Sequence, residues 1–317
     1  LTKKKQKERL FVDCYDEWIE IYKVGDISEI TLKKYRIASE FLRKTCPKLF
    51  LSDFDRTQYQ KILNEYAKTH EKSTTGDFHH LVKACIKDLF HDRQLEVDPT
   101  YRAVIKGKAP SIDKKKKFLQ VEELQKLMHA LDLNNELGVD WMVFIIAKTG
   151  IRFAEALAIT PEDFDWTENK LSIDKTWDYK SGRGGFKSTK TKGSVRKITL
   201  DWQTIGLVKP ILQDLPPNEP IFIQKLENGS YKKYFNSTIN NFMSRKCKEA
   251  GITEISCHGL RHTHASVLLS AGVSIHSISA RLGHADVGVT QETYAHVLDE
   301  LQKKDDQKMI ATLMQIA

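Results

Sequence analysis

The segment from Ser256 to Val297 constrains this chain more than any other, because its pattern demands three helices with tight joins. Gly272 and Gly283 stand where helices end, positions at which a residue tolerant of positive φ stops a helix at little cost. Ser274 and Thr290 are placed to cap the helices that follow. In the first helix His258 and Arg261 share a face, leaving Ala265, Val267, Leu268 and Leu269 to meet a core. His284 and Tyr294 follow in the same stretch, so two imidazoles, a guanidinium and a phenol hydroxyl can converge.

That set suits phosphoryl chemistry. An arginine fork matches two non-bridging phosphate oxygens, a histidine donates to a third, and a tyrosine beside them can form a phosphotyrosyl ester. H-G-L-R-H at 258–262, L-G-H at 282–284 and Y-A-H-V at 294–297 resemble the tyrosine recombinase (phage integrase) family, whose pattern is H-x-x-R, a His or Trp, and then a Tyr. The resemblance covers nearly the whole chain, strongly from Thr149 onward and weakly before Phe118. K-T-K-G-S at 190–194 looks more like integrases of phages and conjugative transposons than like Xer-type resolvases.

The resemblance implies a mainly α fold with a small β-sheet. A helical (SAM-like) core-type DNA-binding domain would occupy residues 1–107, a basic linker 108–117, and an α+β catalytic domain 118–317. T-G-I-R-F-A-E at 149–155, by itself a salt bridge near a helix start, would supply the first catalytic arginine, Arg152, with Glu155 holding the site. Tyr294 would attack the scissile phosphate and leave a 3′-phosphotyrosyl intermediate. Arg152 and Arg261 would neutralise the growing charge, with His284 donating beside them. His258 would assist proton transfer at Tyr294, and Lys190 would protonate the leaving 5′ oxygen, with Lys192 as the alternative. His262, His264 and His296 are read as structural. The implied enzyme is a site-specific recombinase, encoded by a phage or mobile element, that integrates or excises that element without cofactor. Its implied partners are a core-type site in double-stranded DNA, three further copies of itself that exchange C-terminal segments, and helper proteins for excision or bending. The rival readings are an Xer-type resolvase, a metal-dependent nuclease and a non-catalytic DNA-binding protein.

Composition narrows the alternatives. A chain of 317 residues can bury two modest cores, and a formal net charge of +8 favours a polyanionic partner. The five cysteines contain no C-x-x-C pair, which points to reduced thiols in a cytosolic protein, and the resemblance implies a bacterial cytoplasm or nucleoid. The apolar run from Trp141 to Ala147 is too short to span a bilayer, so no membrane partner is expected. His258 and His262 have the spacing of a shared zinc ion, but Arg261 between them repels a cation and no H-E-x-x-H is formed. Gly182-Arg183-Gly184-Gly185 lacks the Walker spacing and reads as a hairpin.

Before the linker, four helices are predicted, holding Phe11 to Tyr22, Leu32 to Leu42, Tyr59 to Tyr66, and a fourth opened by Ser73 or Thr74. Lys72, Ser73, Thr74 and Thr75, at a helix start, are the expected phosphate contacts, joined by Lys114, Lys115, Lys116 and Lys117 in the linker and by Lys192. Leu171 to Trp177 and Arg196 to Leu200 alternate as strands. The tail from Leu301 to Ala317 reads as a short helix with an apolar side. Integrases of the resembled kind often carry a further arm-binding domain; none is read here, and Leu1 in place of Met agrees with a missing upstream segment.

Overall fold

The computed structural model describes residues 9–109, 118–134, 136–180, 184–189 and 192–314, without the side chains of 192, 296, 299–305, 307, 308, 311 and 312. Lys190, Lys114, Lys115, Lys116 and Lys117 therefore lie outside the described residues, as does the side chain of Lys192. The chain forms two compact units, Leu1–Lys114 and Lys115–Ala317.

The first unit contains α1 (Phe11–Tyr22), α2 (Glu29–Thr45), α3 (Arg56–Ala67) and α4 (Lys72–His91). Helical spacing in α1 buries Phe11, Cys14, Tyr15, Trp18 and Ile19 together. Ser28 caps α2 by accepting from the Thr31 amide, and Asp55 caps α3 through the Gln58 amide. Phe78 of α4 stacks on Tyr66 of α3 at 4.2 Å between ring centroids and meets Phe41 of α2 edge-on. Because the Glu71 carbonyl already accepts from the Thr75 amide, α4 begins at Lys72 rather than at Ser73 or Thr74.

Thr75 corrects one expectation. Its side chain is buried and its hydroxyl donates to the Glu71 carbonyl, so it is no phosphate contact; Lys72, Ser73 and Thr74 are exposed. Lys108, expected at the start of the linker, is instead tied to this unit, as is Gly107 before it. The Lys108 amide donates to the His70 carbonyl, and a Cβ on Gly107 would lie 2.1 Å from the Lys72 nitrogen. Further back, the Gln60 side chain makes two hydrogen bonds with the Val104 backbone. Backbone bonds rather than an apolar face hold much of this stretch, which is why it shows no period.

The second unit begins with α5 (Val121–His129), α6 (Val139–Thr149) and the single turn α7 (Phe153–Ala156). A three-stranded antiparallel sheet follows, β1 (Phe164–Asp165), β2 (Lys170–Ile173) and β5 (Arg196–Thr199), with Leu171 opposite Ile198. The ribbon β3 (Lys175–Trp177) and β4 (Phe186–Ser188) is separate. The strand expected over Leu171 to Trp177 thus divides after Ile173 between two sheets. Around K-T-K-G-S, of which residues 190 and 191 lie outside the described residues, β4 pairs with β3, β5 pairs with β2, and Lys192–Ser194 forms a 3-10 turn before β5.

Then come α8 (Trp202–Leu212), α9 (Asn236–Glu249), α10 (Cys257–Ser270), α11 (Ile275–Leu282) and α12 (Val287–Met314). Helix α6 is apolar nearly all round and buried, and α10 packs along it. Ser256 and Ser274 cap α10 and α11, while Gly272 and Gly283 take φ of 84° and 69°. Thr290 is not a cap: α12 starts three residues earlier and Thr290 is buried inside it. The tail is no separate helix, since α12 runs to Met314, leaving Met309, Ile310, Leu313 and Met314 exposed. Among the described residues, no helix is long and apolar enough to cross a membrane.

Candidate active site

Gly150 ends α6 in the left-handed region, at φ 70°, and so turns the chain to place Arg152 at the N-cap of α7. A Cβ on Gly150 would stand 2.7 Å from the His264 ring, so the tight packing here admits only glycine. Glu155 folds back onto Arg152, accepting from its amide at 2.9 Å and from Nη1 at 2.8 Å. Arg152 is 38% exposed while Glu155 is almost completely covered, so the pair is no mere surface salt bridge.

Arg261 enters from the start of the second turn of α10 and is buried. Its Nη1 donates to the Gly150 carbonyl and its Nη2 to the Leu282 carbonyl, both at 2.8 Å. Burial, and then the nearby charge of Arg152, lower its pKa to about 9, so it stays charged at neutral pH. Arg152 reaches the next carbonyl, with Nη2 3.2 Å from the oxygen of Gly283. The carboxyl end of α11, where carbonyls lack helical partners and carry partial negative charge, thus docks both arginines side by side.

His284 follows directly, its Nδ1 2.7 Å from the Thr290 hydroxyl. Burial first, then the charges of Arg261, Arg152 and Arg196, lower its pKa to about 4, which keeps the ring neutral. Thr290, expected to cap a helix, orients this imidazole instead.

Tyr294 sits at a kink in α12, with φ −113° and ψ 19°, and is buried. Its hydroxyl lies 3.0 Å from Nδ1 of His262. Burial raises its pKa to about 12 although the charge of Arg261 acts the other way. His258, expected to assist proton transfer at Tyr294, does not meet the hydroxyl here: His262, read as structural, does, and His258 packs edge-on against His262 at 4.7 Å between centroids. The His258 ring reaches solvent, yet the protein around it and then Arg261 and Arg152 lower its pKa.

Two further arginines were not foreseen. Arg196 binds both oxygens of Glu155, and Arg281 donates from Nε to His264 Nε2 at 2.9 Å, whose Nδ1 in turn donates to the Ala147 carbonyl. Burial pushes the Glu155 pKa up, but the Arg196 hydrogen bond and charge, and then Arg152, outweigh it and hold it below the usual range. An arginine at the half-buried start of a strand was the available signal for Arg196. The 3-10 turn that bears Lys192 touches this region through Gly193, where a Cβ would lie 3.7 Å from Ala285 Cα.

The sequence pattern of the phage integrase family matches residues 117–300. The chain belongs to that family. It is 24% identical over 329 residues to the integrase of Staphylococcus phage L54a, covering 96% of this chain and 93% of that one. It is 27% identical over 229 residues to the tyrosine recombinase XerD of Listeria innocua, covering 68% of this chain and 69% of that one. The fold resembles the Tn1549 transposon integrase in complex with a circular intermediate DNA, with TM-score 0.74, 14% identity, and 94% and 99% of the two chains covered. This family member is a tyrosine recombinase, an enzyme of site-specific recombination.

Proposed function

We propose that the chain cleaves and rejoins double-stranded DNA with Tyr294 as nucleophile, to integrate or excise a mobile element. One observation carries the assignment: the Tyr294 hydroxyl meets a histidine adjacent in sequence to Arg261, while Arg261 and Arg152 dock on neighbouring carbonyls beside His284. The tyrosine oxygen bonds to phosphorus as the bond to the 5′ oxygen breaks, leaving a 3′-phosphotyrosine whose ester energy drives rejoining. His262, whose Nδ1 lies against the tyrosine hydroxyl, takes the tyrosine proton, in place of the role expected for His258. Lys190, or Lys192, protonates the 5′ oxygen. Arg152, Arg261 and His284 stabilise the charge on the non-bridging oxygens. Since Tyr294 is covered in this structure, attack requires it to swing toward DNA, and the kink at 294 is where α12 can yield.

The first unit is the core-type DNA-binding domain, gripping phosphates through Lys72, Ser73 and Thr74, with Lys114 to Lys117 contributing counterion release. Four copies act on two duplexes. The exposed Met309, Ile310, Leu313 and Met314 fit a C-terminal segment that docks on a neighbouring copy, and excision or bending helpers join them.

Suicide duplexes, nicked beside the scissile phosphate, test the reading. The chain should become covalently attached in EDTA, and Tyr294→Phe should bind DNA without attaching. Attachment by Tyr294→Phe would remove the nucleophile assignment, and loss of attachment on chelation would favour a metal-dependent nuclease.

A further inference from the structure

The arginine cluster contains a third member to which the reaction above gives no task. Arg196, opening β5, has 7% of its side chain exposed, and each of its three guanidinium nitrogens is engaged. Its Nε donates to the Arg281 carbonyl at 2.6 Å, and Nη1 to the Ser194 carbonyl at 2.8 Å and to Glu155 Oε1 at 3.3 Å. Its Nη2 donates to Glu155 Oε2 at 2.9 Å. Three consecutive carbonyls at the end of α11, those of Arg281, Leu282 and Gly283, thus receive three different arginines, Arg196, Arg261 and Arg152. Both Glu155 oxygens are shared between Arg152 and Arg196. Gly283 has no room for a side chain because the Arg196 guanidinium fills that space, 2.9 Å from a Cβ built there.

We propose that Arg196 is a positioning residue that aims the arginine pair: by holding Glu155 and the last carbonyls of α11, it fixes Arg152 and Arg261 for the charge that develops on the scissile phosphate. This rests on the reading above. Arg152 is held by a single carboxylate and one longer carbonyl bond, so its direction depends on where Glu155 points. Glu155 in turn is pinned by Arg196. A buried guanidinium already committed to four protein acceptors is poorly placed to grip DNA itself, so it acts through its neighbours. Only a planar fork spans these acceptors, which come from α7, the 3-10 turn and α11; an ammonium on a flexible stem cannot meet them together.

The experiment uses Arg196→Lys, which keeps a cation beside Glu155 so that the chain can fold. Its probe is the duplex that the wild-type chain captures from a randomised pool of nicked suicide duplexes. Affinity for this duplex and the melting temperature should stay close to wild type, while single-turnover attachment slows by about 100-fold, the scale of one lost oxyanion donor. With a methylphosphonate at the scissile position, where the non-bridging charge is absent, the gap between variant and wild type should largely close. An equal gap on both substrates would overturn the inference in favour of a purely structural role. Closure only on a 5′-bridging phosphorothiolate, whose sulfur leaves without a proton, would overturn it by moving Arg196 to the service of the lysine turn. Failure of the wild-type chain to attach to any duplex would overturn the underlying reading, and the inference with it.

Discussion

In the helical unit, Trp18 closes on Asp88 and Tyr59 on His79, polar pairs complete in themselves that fix how the helices meet. In the second unit, Arg261 is buried and donates to two carbonyls but, among the described residues, to no carboxylate, Glu155 acting on it only through its charge, while Arg152 and Arg196 share that same Glu155. Burying charge with incomplete compensation is costly. The first arrangement is what folding alone would favour; the second keeps positive charge in reserve for a phosphate, so stability is given up where the chemistry needs it.

The largest expected effect breaks or confirms that contrast. Arg261→Gln should slow covalent attachment by about 10²–10³-fold, the scale of a lost oxyanion donor, while DNA affinity falls far less. Single-turnover attachment measures it, and a change below about tenfold would place the buried charge among structural features. In the first unit Tyr59→Phe should do the reverse. Leaving Nδ1 of His79 without its partner should cost about 1–3 kcal/mol in urea unfolding, with the attachment rate of bound complex unchanged. A slowed attachment step would tie this pair to the chemistry.

The smallest effect at neutral pH appears on acidification. Burial lowers the pKa of His79 in the first unit, and of His264 and His284 in the second, to about 4. The unfolded chain takes up these protons near the ordinary 6.5, so the histidines' contribution is flat above that pH, turns against the fold as pH falls toward about 4, and levels off below. Among the described residues the second unit carries two such histidines, and it should lose more. Tryptophan fluorescence of Trp18 variants against pH would separate the units, and greater acid sensitivity of the first would reverse the comparison.

Much of this was legible locally. Gly272, Gly283, Ser256 and Ser274 end and start helices because turns and caps are decided by a few neighbouring residues, and the period of α1 reports its buried face. In α10 the expected stripe is only half right: Ala265 and Leu269 are buried, Val267 and Leu268 only partly, and Arg261, Thr263, His264 and Ser266 are buried instead. The order and spacing of Arg152, His258, Arg261, His284 and Tyr294 likewise marked the family before any contact was known. What spacing could not say is which atoms meet. Thr290 reads as a cap because a threonine before a polar run commonly is one, yet it orients His284. His262 rather than His258 meets Tyr294 because the kink in α12 brings a residue 32 positions away over one edge of α10. Arg196 reaches Glu155 across 41 positions only after β5 pairs with β2 and α11 ends beside it. Caps, breaks and faces are properties of short segments and were determined by the sequence itself. The sharing of Glu155, the three arginines on α11 and the partner of the nucleophile depend on distances that only the packed chain sets.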